Sequence, residues 1–295
     1  MDALVTIPHS VVESTLFLQA QIPAEHPSVV ALGQERAGAG VAVAPDRVLT
    51  AHYLVVGARS IELSAADGQA RSVDRIELDH ESGLALLRVE GPSLRAARLG
   101  ESRSVLPGTP VFVLTYSGAD ERRGASGHVS SVGPFEAFWE YMLDRAITTT
   151  VINPGVAGAP LFDSGGRLVG VISLGLANVG RYSLAIPLEL YLERRSQLEE
   201  GARLDERAWL GLYPQGAAGS LLVAGVVPGG PADSAGIERG DVLLSVDGEA
   251  VASLRELYNR IWLRRPGETV GLQILREASI RVVDVTSGDR YEFYR

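Results

Sequence analysis

The sequence predicts a mainly β chain in two parts, an all-β region over residues 1–187 and a small α+β region over residues 208–295. Three observations carry this. Between about residues 11 and 187, short Val/Ile/Leu-rich segments alternate with Gly and Pro, the pattern of a barrel or sandwich. Residues 188–207 then turn charged, with Glu193-Arg194-Arg195-Ser196-Gln197-Leu198-Glu199-Glu200 reading as a short helix and a solvated connector. From Trp209 onward, strand and helix signals follow each other closely, separated by strong turn pairs. A length of 295 residues suits about two domains.

In chain order, strands are expected at Thr15–Ile22, Ser28–Leu32, Gly40–Val43, Ser60–Leu63, Leu84–Val89, Val111–Thr115 and Gly127–Val132. An apolar run from Ile147 to Ile152 and another from Leu168 to Leu174 flank a turn rich in Gly and Pro, Asn153-Pro154-Gly155-Val156-Ala157-Gly158-Ala159-Pro160. In the second part, Ser220–Val227 reads as a strand, and Pro231 opens a short helix that ends at Gly236. Val242–Val246 is a strand closed by the hairpin pair Asp247-Gly248. Ser253 with Glu256 has capping-box spacing and opens a helix over Leu254–Leu263, after which Val270–Leu275 returns to strand.

Composition narrows the function. The net charge of −9 leaves no basic surplus for phosphates, so no nucleic-acid partner is expected. With no cysteine there is neither a disulfide nor a thiolate metal site. No apolar run approaches the ~18 residues of a membrane span. His9, His26, His52, His80 and His128 show no His-x-x-x-His spacing, so no metal or other cofactor is expected. The N-terminus as given shows no basic region and no apolar signal core, which reads as cytoplasmic.

Three motifs then fall in an informative order. Arg47-Val48-Leu49-Thr50-Ala51-His52 comes first, Asp79-His80-Glu81-Ser82-Gly83-Leu84-Ala85-Leu86 second, and the Ala157 turn third. Their order and spacing resemble the His, Asp and Ser landmarks of the chymotrypsin fold, specifically the HtrA-type serine proteases. The resemblance implies a chymotrypsin-like double β-barrel over residues 1–187. It also implies that His52 is the triad histidine, while Gly83 stands at the aspartate position and Ala157 at the serine position. A methyl group cannot attack a carbonyl, so the expectation is a pseudoprotease with no functional catalytic residue and His52 as a remnant. Glu81 is a poor substitute acid, and Ser164 and Ser173 are poor substitute nucleophiles. Gly155, Val156 and Ala157 are expected to keep an oxyanion-type nest of N–H groups.

The string Val226-Val227-Pro228-Gly229-Gly230-Pro231-Ala232-Asp233-Ser234-Ala235-Gly236-Ile237-Glu238-Arg239-Gly240-Asp241-Val242 resembles a bacterial PDZ domain. That resemblance implies that Trp209-Leu210-Gly211-Leu212 is a carboxylate-binding loop, and that protein or peptide C-termini add as a strand beside the 254–263 helix. Leu254, Leu257, Tyr258 and Ile261 are the expected lining, each equally able to be core. Pro214, close behind the loop, is expected to cut the receiving strand short. The functional expectation is an inactive protease homologue that binds C-termini as a regulator or scaffold, with an active HtrA relative or its own copies as further partners. A residually active endopeptidase and a metal-binding or structural use of the cleft stay open. HtrA relatives are usually exported, and a removed leader would place this chain outside the cytoplasm.

Overall fold

The computed structural model describes residues 7–116, 121–152, 157–176, 181–204, 206–217 and 219–295. The chain divides into two compact units, one of residues 1–134 and 144–204 and one of residues 135–143 and 205–295.

The first unit opens with a short helix, α1 (His9–Ser14), and then builds a six-stranded closed barrel. Its strands are β1 (Thr15–Gln21), β2 (Glu35–Ala44), β3 (Arg47–Ala51), β4 (Ser60–Ser64), β5 (Ala70–Asp79) and β6 (Leu84–Glu90), in the order β1-β2-β3-β6-β5-β4. The Ser28–Leu32 segment, expected as a strand, is instead a single helical turn, α2 (Val29–Leu32). None of its four residues is buried, so no sheet rewards the extended form that its β-branched residues favour. The barrel interior is Leu16, Leu18, Val48, Leu63, Ala85 and Leu87, all fully buried. β6 is buried at five of seven positions, which is why it reads as an apolar run rather than as an alternation.

The second sheet comprises β7 (Arg98–Leu99), β8 (Pro110–Tyr116), β9 (Arg122–Ala137), β10 (Tyr141–Thr149), β11 (Pro160–Asp163), β12 (Arg167–Gly175) and β13 (Ser183–Pro187). Their order is β11-β8-β9-β10-β13-β12-β7, and a further β11–β12 pairing joins six of them into a second ring. The expected double barrel is therefore present. α3 (Leu188–Glu200) follows directly and belongs to this first unit rather than to a free connector. Its Leu188, Tyr191 and Leu198 are buried, and its Glu189 receives Arg145 Nη1 at 3.0 Å. The helix is as expected, but the charge run hid the apolar stripe that packs it.

The second unit holds β14 (Leu212–Ala217), β15 (Ser220–Val226), α4 (Pro231–Ser234), β16 (Val242–Val246), β17 (Glu249–Ala250), α5 (Leu254–Ile261), β18 (Thr269–Arg276), β19 (Ser279–Thr286) and α6 (Arg290–Phe293). The sheet order is β14-β15-β16-β18-β19. Val270, Leu272 and Ile274 of β18 face the core in strict alternation. α5 starts as its spacing predicts: the Ser253 side chain accepts from Glu256 N–H, and Glu256 reaches back to Ala252 N–H at 2.7 Å. Asp247 and Gly248 both have positive φ, the I′ geometry of a tight hairpin. The β18–β19 hairpin lacks a sequence signal because Glu277 and Ala278 adopt positive φ there without a glycine. Pro214 does not end β14. The strand runs on to Ala217 past an irregularity between Tyr213 and Pro214, and it lies at the sheet edge, where a residue without an N–H is tolerated.

Asp241 anchors this unit. It is fully buried and takes Arg276 Nε and Nη2, both at 2.6 Å, while also accepting Glu238 N–H. Burial alone would push its carboxyl up, but Arg276 and the Glu238 N–H outweigh that and hold it below the usual range. A depressed folded-state pKa contributes stability at neutral pH that disappears as pH falls below about 4. Asp241→Ala should therefore cost about 3 kcal/mol at pH 7, in the range for breaking a buried pair, and distinctly less at pH 3. Paired thermal melts at the two pH values check this.

Candidate functional site

In the first unit, β3 ends by delivering His52 into a single 3-10 turn, His52–Leu54. Arg36 holds that turn from below, donating Nη1 to Tyr53 O at 2.7 Å and to Val56 O at 3.1 Å. Burial lowers the Arg36 guanidinium to about 10, still charged at neutral pH. Tyr53 completes the support by donating its hydroxyl to Ser173 O at 2.5 Å. His52 is nearly buried and meets the buried His80 ring edge-on, with centroids 5.4 Å apart.

Gly83, expected at the aspartate position, acts through its backbone. Gly83 closes the β5–β6 turn with φ +78, and its carbonyl takes both the His52 backbone N–H at 2.9 Å and, at 3.1 Å, ring Nδ1. A carbonyl can only accept, so Nδ1 is the donor in this hydrogen bond, and in the neutral ring Nε2 is left as the acceptor. Gly83 has no side chain to orient His52, yet its peptide oxygen orients the ring. What that oxygen lacks is a negative charge to stabilise the imidazolium.

The neighbouring acids serve the turn. Asp79, fully buried, accepts Glu81 N–H at 3.0 Å and Ser82 N–H at 3.2 Å, and meets Arg194 Nη1 at 3.2 Å. Glu81 pairs with Arg194 Nη2 at 2.7 Å. α3 thus supplies the cation for both carboxylates of this turn. At the serine position, the Ala157 carbonyl is pinned by Ala39 N–H at 2.8 Å. Gly155 and Val156, expected beside it in an oxyanion-type nest, lie outside the described residues. Ser164 is exposed in the β11–β12 turn, and Ser173 is buried with its carbonyl committed to Tyr53. Among the described residues, no cluster of three or more His, Asp or Glu side chains could hold a metal.

In the second unit, the 209–212 loop is shaped by Gly211 at φ +75, where a Cβ would come within 3.1 Å of the Trp209 ring and 3.2 Å of Val227. Trp209 is held by reciprocal backbone hydrogen bonds with Gly288. The loop's N–H groups converge on a carboxylate from far away in the chain. Leu212 N–H donates to Glu140 Oε1 at 2.8 Å and Leu210 N–H to Oε2 at 3.1 Å. Glu140 is almost fully buried. Burial pushes its carboxyl up, opposed by the N–H groups of Leu212, Leu210 and Gly211 and by Arg290. Its backbone is left-handed at φ +53, a conformation costing a non-glycine residue about 1–2 kcal/mol.

Of the expected groove residues, Leu257, Tyr258 and Ile261 are fully buried in the core of this unit, and Leu254 packs against it half-exposed. A helix with one apolar stripe turns that stripe inward first, which is why these positions are core. Tyr258 also points its hydroxyl outward from the core, donating to Ala137 O at 2.6 Å and accepting Glu140 N–H at 3.2 Å. Sequence reading missed Glu140. Its one local signal is an acid set among Phe135, Phe138, Trp139 and Tyr141.

The comparisons agree with this anatomy. A trypsin-like peptidase domain matches residues 38–171 and a PDZ domain matches residues 208–286. A probable periplasmic serine endoprotease, DegP-like, of Ectopseudomonas mendocina is 31% identical over 270 residues, covering 85% of this chain and 56% of that protein. One of the same description from Halomonas elongata is 30% identical over 275 residues, with the same coverage. The chain thus spans a little over half the length of these curated relatives. Among solved structures, the HtrA-type protease AlgW with tripeptide superposes with TM-score 0.57 at 24% identity, over 95% of this chain and 96% of that one. The serine endoprotease from Yersinia pestis gives TM-score 0.56 at 21% identity, over 95% and 97%. Fold and site define a trypsin-like domain joined to a PDZ domain. In these two domains the chain is similar to DegP-like endoproteases, and its fold to that of HtrA-type proteases.

Removing Arg194 tests the acid turn. Burial already raises the Asp79 carboxyl, with Arg194 as the main opposing influence. A raised folded-state pKa means that protonation favours the fold, and that stability is lost as pH rises through that pKa. Arg194→Ala should cost about 3 kcal/mol at pH 7 and less at pH 4, where Asp79 can take up a proton. Chemical denaturation at both pH values reads the difference.

Proposed function

We propose that this chain is a non-cleaving HtrA-type homologue that recognises protein or peptide C-termini through its PDZ domain and acts as a regulator or scaffold. The observation that carries the first half is chemical: Ala157 offers no nucleophile where the family places its serine, and the group on His52 Nδ1 is the neutral Gly83 carbonyl. Loss of the nucleophile alone costs about 10⁶-fold in turnover, leaving what binding and oxyanion stabilisation provide. The PDZ match and the convergent N–H groups of the 209–212 loop favour the second half. The solved AlgW complexes, described with a tripeptide or a decapeptide, add to it. The periplasmic description of the relatives favours the same compartment here.

Two expected outcomes follow from the site. The wild-type chain should release no more soluble peptide from unfolded casein than buffer does. Cleavage abolished by His52→Ala would overturn the reading. Ala157→Ser should stay at the same background, because a carbonyl cannot supply the charge that the imidazolium needs. Turnover comparable to an intact triad from that one change would show that Gly83 is an adequate partner for His52.

A further inference from the structure

The second unit is not assembled from one continuous stretch: residues 135–143, the end of β9, the start of β10 and the turn between them, belong to it. This segment lies against both walls of the groove that a PDZ domain uses. On the helix side, Glu136 pairs with Arg255 at 2.6 Å and the Ala137 carbonyl takes the Tyr258 hydroxyl. On the strand side, the Phe138 ring meets Tyr213 of β14 edge-on, with centroids 6.0 Å apart. At the loop, the two oxygens of Glu140 accept from the N–H groups of Leu210 and Leu212, and Gly211 lies between those residues in sequence. Arg290 Nη1 donates to the Glu140 carbonyl at 3.1 Å from the far side. Ala137, Tyr141 and Leu143 are buried, and Met142 packs on the core of the unit.

A C-terminal carboxylate bound by a PDZ loop needs two oxygens facing successive backbone N–H groups, an extended chain leading away, and a helix along one side. Residues 135–143 supply the two oxygens from Glu140 and the extended chain from Tyr141 onward in β10, and α5 lies along one side through Arg255 and Tyr258. We propose that this segment is the resident ligand of the chain's own PDZ groove, that Glu140 takes the place of a C-terminal carboxylate, and that an outside C-terminus binds only by displacing it. The inference rests on the reading of the second unit as a carboxylate-recognising module. Backbone geometry supports it independently. Glu140 is one of four non-glycine residues with positive φ among the described residues, and the left-handed turn aims its side chain into the loop.

The test uses the full chain as wild type, Glu140→Ala and Glu140→Gln. The probe is a dye-labelled pool of random decapeptides with free C-termini, with the same pool amidated as control. Binding by fluorescence anisotropy is read beside amide hydrogen exchange at Leu210 and Leu212. The expected result is at least tenfold tighter binding of the free-acid pool by Glu140→Ala than by wild type, lost on amidation, with exchange at both amides at least tenfold faster. Glu140→Gln, which keeps the shape but sets an amide NH₂ against one N–H, should fall between the two. It also serves if the alanine variant does not fold. Equal, measurable binding by wild type and variants would overturn self-occupation while leaving C-terminal recognition standing. If no protein binds the pool, exchange decides. Faster exchange in the variants keeps Glu140 as resident ligand and ends the C-terminal reading, whereas unchanged exchange overturns the inference.

Discussion

A carboxylate taken out of water must be met by N–H donors or a cation, and much of this structure is arranged around that requirement. Among the described residues the buried acids are Asp79, Glu140 and Asp241. Each organises a turn. Asp79 gathers the N–H groups of Glu81 and Ser82 and draws α3 in through Arg194. Asp241 takes the Glu238 N–H and both arms of Arg276. Glu140 collects the 209–212 loop. In all three cases the acid constrains backbone that would otherwise leave its own N–H groups without partners, so the acid and the turn satisfy each other.

This arrangement explains how the His52 turn keeps its architecture with Gly83 and Ala157 beside it. Arg36 and Tyr53 fix the His52 turn, and the Gly83 carbonyl fixes the ring. None of these contacts uses a nucleophile or a catalytic acid. The scaffold of a trypsin-like site is thus separable from its chemistry, since the strands and turns that present the residues are held by other bonds.

In the second unit the N–H groups of the 209–212 loop are met by the Glu140 carboxylate. The Gly211 backbone, the left-handed Glu140 turn and the Tyr258 hydroxyl are mutually consistent. The strain at Glu140 is tolerated because the surrounding hydrogen bonds over-determine its position. On the proposed self-occupation, an outside carboxylate would have to replace every one of those bonds.

Local patterns determined a good deal of this protein by themselves. The apolar runs of the barrels, the Asp247-Gly248 hairpin and the Ser253–Glu256 cap were legible because each reports on a few neighbouring residues. Local reading failed where burial was decided at a distance. The charge run at 193–200 hid the packing of Tyr191 and Leu198, and Leu257 and Ile261 could not be assigned to core or groove from helical spacing. Only the tertiary structure decided that a peptide oxygen would orient His52. It alone brought Glu140 to a loop 70 residues further along the chain. Such a contact depends on the whole intervening chain closing correctly, and that closure is a property of the packed fold which no short stretch of sequence encodes.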